Sequence, residues 1–173
     1  MSDAVEANAE RNRALGCRLN RLLFTLPDVD ESSTDPSERD GCNTIVTAVP
    51  EGVSSYVWFV LHKMVYLCVA FEIDGDGCAR IDNRACHEIP NCFDKSLAHH
   101  NGSIFIAHKR DATHNHPTQL ILLNVIMYKN VLCVHESWNR KWERIAYFLE
   151  RSVTNCPFPN RNTKKTRSLV YMF

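Results

Sequence analysis

The sequence lacks a long uncharged run. No window of 18 residues is free of Asp, Glu, Lys and Arg, whereas a membrane-spanning helix needs about 20 largely apolar residues. The first residues, MSDAVEANAERNR, also lack the apolar segment of a secretory signal peptide. We therefore expect a nuclear or cytoplasmic protein that does not bind a membrane. Its 8 cysteines are then predicted to be mostly buried free thiols.

The chain also lacks a surplus of either charge, because 20 Lys and Arg balance 20 Asp and Glu. The charges are unevenly distributed: residues 1–41 carry a net charge of −4, residues 42–135 of −1 and residues 136–173 of +5. A protein that binds nucleic acid unaided usually has a stronger basic surplus. If nucleic acid is the ligand, we expect a partner to share the binding.

Motifs of common enzymes and metal sites are absent as well. There is no G-x-S-x-G, no P-loop and no recognisable pair of catalytic carboxylates, so enzymatic activity is not predicted. Structural zinc sites pair their ligands two to four residues apart, but no C-x-x-C occurs and Cys86 and Cys92 stand six apart. The neighbouring Cys78, His87, His99 and His100 are interpreted as core thiols and surface histidines. Metal binding by this group is the less favoured alternative, and no cofactor is predicted.

The N-terminal part predicts an amphipathic helix joined to the body by a linker. Leu15, Leu19, Leu22 and Leu23 recur at helical spacing, and Pro27 ends the helix. The domains are therefore predicted as a helix at 1–27, an acidic flexible linker at 28–41 and a body at 42–173. The helix either covers part of the core or docks on a partner.

The body contains two long runs that favour strands. Ser55–Ile73 and Thr118–Glu136 are rich in β-branched and aromatic residues, and each is predicted as one bent strand or as two strands joined by a turn. Short strands are predicted at 43–49, 78–82 and 84–89, a tight turn at 74–77, a helix at 90–100 and a strand at 103–109. A helix is predicted from Ser137 to Val153, and the apolar end of the basic tail is predicted as an edge strand.

This order of elements resembles an OB-fold, a small Greek-key barrel with a helix between its third and fourth strands. The segments GSIFIAHK and QLILLNVIMYK, followed by a helix, resemble the C-terminal half of small OB subunits of single-strand-binding complexes. These are the small subunits of replication protein A and of the related telomeric trimer. The resemblance implies a mainly β protein with flanking helices whose C-terminal helix contacts a second OB-fold subunit. The implied interface residues are Trp138, Trp142, Ile145 and Leu149.

Aromatic residues beside bases indicate where nucleic acid would bind, since single-strand binders combine basic grooves with stacking rings. The candidates are Tyr56, Trp58, Lys63, Phe105, Lys109, Arg110, Tyr128 and Lys129. The alternative is that these aromatic residues belong to the core. We expect a non-enzymatic subunit that binds single-stranded nucleic acid weakly, with telomere protection as the most specific version.

Two other functions stay open at this point. The run LLNVIMYKNVLCVHESWNRKWERIAYFLERSV and the tail also resemble the end of cap-binding initiation factors, in which two tryptophans sandwich a methylated guanine. This resemblance implies a cap- or nucleotide-binding α+β module. The third hypothesis is a structural or viral host-interaction adaptor that binds no nucleic acid.

Overall fold

The structure is a computed structural model that describes residues 2–26, 52–82, 86–89, 92–110, 119–154 and 168–170. The α-helices are α1 (Ser2–Phe24) and α2 (Trp138–Tyr147), and a 3-10 helix spans Lys95–Ala98. The strands are β1 (Val53–His62), β2 (Val65–Glu72), β3 (Cys86–Glu88), β4 (Cys92–Phe93), β5 (Ser103–Arg110), β6 (Gln119–Tyr128), β7 (Val131–Leu132), β8 (Val153–Thr154) and β9 (Ser168–Val170).

Seven of these strands form one open sheet in the order β3-β2-β1-β5-β6-β7, and β9 pairs with β6. The pairs are antiparallel except for β6 with β9, and β4 and β8 form a separate ribbon. In the described residues β3 and β7 do not pair with each other. The fold is mainly β with flanking helices, as predicted. The predicted OB-type barrel is not confirmed, because the sheet is not closed.

The central strand β1 shows why the sheet has two buried faces. Side chains alternate between the faces of a strand, so Val57 and Phe59 enter one core cluster while Tyr56, Trp58 and Val60 enter the other. A strand that is covered on both faces reads as a continuous apolar run rather than an alternating one. The sheet is therefore the middle layer between two helices.

Helix α1 covers one face of the sheet. Leu15 and Leu19 have no exposed surface and join the same cluster as Trp58 and Phe71. The side chain of Asn20 donates to the carbonyl of Ala79 at 2.9 Å and accepts from its N–H at 2.7 Å. Of the two interpretations of the N-terminal helix, the one in which it covers the core is correct.

Helix α2 and the turn that follows it cover the other face. The ring of Phe148 lies 5.2 Å from Phe59 and 4.6 Å from Phe105, centroid to centroid. Phe93 adds an edge-to-face contact with Phe59 at 4.9 Å. Aromatic pairs in this range contribute roughly 0.5–1.5 kcal/mol each beyond the area that they bury. Phe148 thus brings the turn after α2 into the core, and Ile145 of α2 joins the same cluster.

The two long apolar runs are both hairpins. Ser55–Ile73 forms β1 and β2, which are joined at Lys63 and Met64, and Thr118–Glu136 forms β6 and β7, which are joined at Lys129 and Asn130. The two-strand alternative is thus confirmed for each run. The tight turn at 74–77 and the tail edge strand are also confirmed.

Other predicted bounds need correction. The helix expected at 90–100 is the single 3-10 turn, whose first residues are capped by the Asp94 carboxylate. The strand expected at 78–82 is one isolated bridge between Ile73 and Ala79. The last helix leaves α-geometry at Tyr147 and ends in a π-helical turn at Phe148–Ser152. The linker at 28–41 and the strand at 43–49 lie outside the described residues.

Candidate nucleic-acid interface

Three turns meet at one end of the sheet. They are the β1–β2 turn (Lys63 and Met64), the loop that precedes β5 (99–102) and the β6–β7 turn (Lys129 and Asn130). The antiparallel pairing of β5 with both β1 and β6 places the three turns side by side. We call this region, with the adjoining 3-10 helix, the basic end.

The basic end contains every non-glycine residue with a positive φ in the described part of the chain. The φ angles are 46° at Lys63, 65° at Met64, 56° at His100, 48° at Lys129 and 65° at Asn130. A two-residue hairpin turn of this kind prefers Asn-Gly, because both central residues need positive φ. A left-handed residue with a Cβ costs roughly 1–2 kcal/mol. Backbone strain of this kind is concentrated at functional sites in proteins.

Hydrogen bonds hold two of the turns against each other. Asn130 donates its N–H to the carbonyl of Gly102 at 2.8 Å, and its side-chain oxygen accepts from the N–H of Asn101 at 3.3 Å. The N–H of Lys129 donates to Ser103 Oγ at 2.8 Å. The basic side chains therefore stand on a fixed backbone.

Arg18 of α1 links the other turn to this network. It donates to the carbonyls of Leu61 at 3.2 Å and His100 at 2.9 Å, and its guanidinium lies 5.3 Å from the centroid of Trp58. The Trp58 indole N–H in turn donates to the carbonyl of Asn101 at 2.8 Å. One cation from the helix thus stabilises both neighbouring turns.

Two tyrosines at the basic end carry cations over their rings. Lys95 Nζ lies 5.3 Å from the ring centroid of Tyr66, and the His99 ring lies 6.1 Å from the same tyrosine. Lys129 Nζ lies 5.8 Å from the Tyr128 centroid. Cation–π contacts of this kind hold basic groups in place without neutralising them.

Asp94 is the acid that lies among these bases. Its carboxylate accepts from the hydroxyl and the N–H of Ser96, and Lys129 Nζ lies 3.2 Å away. These hydrogen bonds, the one from the Ser96 hydroxyl first, lower the pKa of Asp94 to about 2. The group is therefore ionised at neutral pH and offsets part of the positive charge.

The pKa of His62 indicates that positive charges surround its side chain. It is lowered from its ordinary value, first by burial and then by the charges of Lys63, Arg18 and Arg11. Several cations thus act on one imidazole at this end. A negatively charged ligand would be attracted there.

The predicted stacking rings belong to the core. Trp58 and Phe105 have no exposed surface, and Tyr56 and Tyr128 are 8% and 7% exposed. Their rings pack inside the two clusters, so none of the four offers a free face to a base. The alternative in which these aromatic residues are core residues is correct.

The predicted bases fall at opposite ends of the sheet. Lys63 and Lys129 lie at the basic end, whereas Lys109 and Arg110 lie at the far end of β5. Lys109 Nζ is 3.3 Å from Glu72 Oε1, and both side chains are mostly buried. The four bases therefore cannot form one groove.

Sequence reasoning missed Lys95, His100 and Arg18. The two lysine-containing turns were recognisable as polar breaks within apolar runs, but the third turn adjoins them only because β5 pairs with β1. Arg18 is an ordinary helix residue in the sequence. Only the packing of α1 on the sheet brings it to the turns.

The predicted partner surface on α2 is only partly exposed. Ile145 is 1% exposed, and Trp142 and Leu149 pack against the core cluster, so Ile145 offers almost no surface to a partner. Trp138 is 54% exposed and stacks on Trp142 at a centroid distance of 6.4 Å. Tyr147, which was not predicted, is 56% exposed.

Among the described residues no group of three or more His, Cys, Asp and Glu side chains is placed to hold a metal ion. Burial raises the pKa of the Cys86 thiol to about 12, which disfavours the thiolate that a metal would need. Among the described cysteines, Cys68, Cys86 and Cys133 are buried, as predicted for most of them, whereas Cys17 and Cys78 are exposed.

No protein-family model matches this chain, and a search of curated proteins found no match. Within the described ranges, no helix combines the length and the apolar character that crossing a bilayer requires.

Proposed function

We propose that this protein is a non-enzymatic subunit that binds single-stranded nucleic acid through its basic end and shares the binding with a partner. One observation carries the proposal: each of three adjacent turns holds a basic residue in the left-handed conformation, namely Lys63, His100 and Lys129. Strained turns would not be expected to place cations together for stability, because like charges repel. A polyanion offsets the repulsion between these cations.

The expected contacts are mainly to phosphates. Lys63, Lys95 and Lys129 supply flexible ammonium groups, which bind phosphate oxygens without reading sequence. His99 and His100 are exposed and offer ring faces and N–H groups. With the predicted stacking rings buried, affinity for the strand comes mostly from charge and is strongly dependent on salt.

The proposed partner surface is the exposed part of α2. Trp138 and Tyr147 present more than half of their surface, and Lys141 Nζ lies 5.8 Å from the Trp138 ring. Tryptophan and tyrosine are typical of interface hot spots. A second OB-fold subunit remains the proposed partner, and telomere protection the proposed setting.

The strand order supports the proposed kinship with OB-folds without closing a barrel. In an OB-fold the first strand lies between the second and the fourth, and a helix precedes the fourth. Here β1 lies between β2 and β5, and the 3-10 helix precedes β5. The proposed binding mode does not depend on closure, because the three turns already meet.

The test is binding of a fluorescent single-stranded oligonucleotide, followed by anisotropy at several salt concentrations. The double variant Lys63→Glu, Lys129→Glu is expected to bind weakly. Each lost phosphate contact should reduce the slope of log affinity against log salt by about 0.7, so the double variant should lose about 1.4.

A matched control carries the same change of charge elsewhere. Arg13 and Arg110 are exposed and lie away from the basic end, so Arg13→Glu, Arg110→Glu should retain most of the affinity and the slope. If both double variants lose affinity equally, net charge alone explains the binding and the proposed site is wrong. Wild-type protein that binds no oligonucleotide at low salt would favour the adaptor hypothesis.

The cap-binding alternative needs two indoles with free faces on either side of a guanine. Trp58 is fully buried under α1, and Trp138 and Trp142 stack on each other. The described residues offer no such pair. We therefore favour binding of the nucleic-acid backbone.

A further inference from the structure

A groove of about 380 Å³ runs between α1 and the β1–β2 turn. Its apolar lining includes Ala14, Val65 and Leu67, and its polar lining includes Arg11, His62 and Lys63. The volume falls in the range of roughly 300–1,000 Å³ that is typical of small-molecule sites. The lining thus combines apolar surface that suits a flat group with cations that suit an anion.

Arg11 lines the groove and is only partly satisfied by its neighbours. Its Nη2 is 2.8 Å from Glu88 Oε2, but its Nε is buried and makes no hydrogen bond within the described part of the chain. Buried donors are normally satisfied, and each exception calls for a physical explanation. The Arg11 side chain as a whole is 30% exposed, so its accessible terminal N–H groups, rather than the buried Nε, are the donors that a ligand in the groove would meet.

The neighbours of Arg11 also favour an anion. His62 lies among the charges of Lys63, Arg18 and Arg11, which together lower its pKa after burial. Lys63 itself stands on the strained β1–β2 turn. Two cations, Arg11 and Lys63, thus line the groove, and a third, Arg18, acts on His62 from beyond the lining.

The acids near the groove are Glu88, which is paired with Arg11, and Glu10. Glu10 is exposed and also lines a second groove on the other side of α1, together with Glu6, Arg13 and Asp82. That second groove carries three acids against one base. An anion would be repelled there, so the comparison selects the groove at Arg11.

We infer that the groove at Arg11 binds one nucleotide unit, with its phosphate at Arg11 and Lys63 and its base against Ala14, Val65 and Leu67. Asn8, which also lines the groove, offers an amide to the polar edge of the base. The inference rests on the proposed function and adds a defined subsite to it. In this subsite, one nucleotide of the bound strand contacts apolar surface in addition to cations.

The experiment titrates isotope-labelled protein with adenosine monophosphate, uridine monophosphate and inorganic phosphate in separate arms, followed by amide NMR shifts. We expect both nucleotides to shift residues of α1 and the β1–β2 turn. Inorganic phosphate should bind about tenfold more weakly, because it makes no contact with the apolar lining. Equal binding of nucleotide and phosphate, or no binding of nucleotide, would overturn the inference.

Two pairs of variants locate the site. Arg11→Gln should weaken nucleotide binding about tenfold, because a charged donor is lost, while Arg13→Gln should leave it unchanged. Ala14→Trp fills the groove and should abolish binding, whereas Ala9→Trp places the same ring in the second groove and should not. Unchanged affinity in both Arg11→Gln and Ala14→Trp would exclude this groove.

The failure of this inference is distinguishable from failure of the proposed function. In one outcome the mononucleotide does not bind, but the double variant Lys63→Glu, Lys129→Glu still has a lower affinity for the oligonucleotide. This outcome supports the basic end as the binding site and contradicts the nucleotide subsite. If the mononucleotide binds at Arg11 and no oligonucleotide binds, the groove stands as a small-molecule site and the proposed function falls.

Discussion

The two ends of the sheet use their charges in opposite ways. At the far end, Glu72 is close to both Lys109 and Arg80, at 3.3 and 3.4 Å, and Arg80 also pairs with Asp82 at 2.7 Å. At the basic end, no ion pair of Lys63 or Lys95 is formed among the described residues. Charges that pair within the protein stabilise it locally, whereas unpaired cations in a group are available to a ligand.

The two ends also differ in the residues that have positive φ angles. The far turn uses Gly77 for its positive φ of 78°, and the Asp74 carboxylate accepts from the N–H groups of Asp76 and Cys78. At the basic end Gly102 also has a positive φ of 82°, but Lys63, Met64 and three other residues with a Cβ share this conformation. The far end is built with residues that suit its turn, while the basic end retains strain where we propose binding.

The largest change in stability is expected at Gly102, which lies in the loop before β5 at the basic end. Gly102 has a φ of 82°, and an added Cβ would collide with the carbonyl oxygen of Phe59. Gly102→Ala should lower the free energy of unfolding by about 3 kcal/mol, from overpacking and from the left-handed backbone. Urea denaturation measures it.

Gly75 provides the control at the far end, because no atom lies within 4 Å of an added Cβ there. Gly75→Ala should change stability by less than about 0.5 kcal/mol. Equal losses at Gly102 and Gly75 would show that the basic end is no more tightly packed than the far turn.

The second-largest change in stability concerns Asn20 and Arg18, two side chains of α1 that donate hydrogen bonds to the rest of the protein. Asn20→Ala removes both hydrogen bonds to Ala79, which is 2% exposed, and leaves its N–H unsatisfied at a cost of about 2 kcal/mol. Arg18→Met removes the two bonds to the turns and should cost about 1–2 kcal/mol. Thermal denaturation measures both.

Only one of these two variants should affect the ligand. Arg18→Met removes a cation from the basic end and should weaken oligonucleotide binding. Asn20→Ala should leave the affinity unchanged at temperatures where the protein is folded. An equal loss of affinity in both would mean that α1 acts only through stability.

Many elements of the fold can be predicted from local sequence patterns, but these patterns do not show whether the sheet closes into a barrel. Breaks at Lys63 and Lys129 marked two hairpins, and the leucines of α1 marked its buried face. Continuous apolar runs are typical of a sheet buried on both faces, but we predicted a barrel from the order of elements. A barrel has one interior face, so Trp58 and Phe59, adjacent and both fully buried, argue for a covered sheet.

The candidate site was less predictable because it depends on pairings distant in sequence. Lys63 and Lys129 were named from the sequence, yet Arg18 and His100 join them only through the packing of α1 and the pairing of β1 with β5. Rings named as stacking platforms are buried, because aromatic residues in strands more often fill cores. Sequence gives the residue types, and topology decides which of them meet.

The third effect is a gain in stability. Lys63→Asn with Met64→Gly installs the residues that this turn type prefers and should raise the free energy of unfolding by about 1 kcal/mol. It should also weaken oligonucleotide binding, because one cation is lost. If the variant gains no stability, the turn is not strained, and the main support for a functional basic end is lost.

The smallest change in stability is expected at Asp94. Its carboxylate contacts Lys129, which we propose also contacts the ligand. Because its pKa is lowered from 3.8 to about 2, its ionised form stabilises the fold above pH 3.8, and that contribution is lost as the pH falls to about 2. The side chain is 47% exposed, so solvent screening keeps the contribution small. Asp94→Asn should therefore lose slightly less stability than the wild type over this interval.

Carboxyl NMR titration resolves which neighbour holds the pKa of Asp94 down. The Ser96 hydroxyl is the largest cause and Lys129 a minor one, so Ser96→Ala should raise the pKa of Asp94 more than Lys129→Gln does. Lys129 is then only weakly engaged by Asp94 and remains able to turn to a phosphate. The reverse order would mean that Lys129 is committed to its ion pair, as Lys109 is at the far end, and the contrast between the two ends would rest on Lys63 and Lys95 alone.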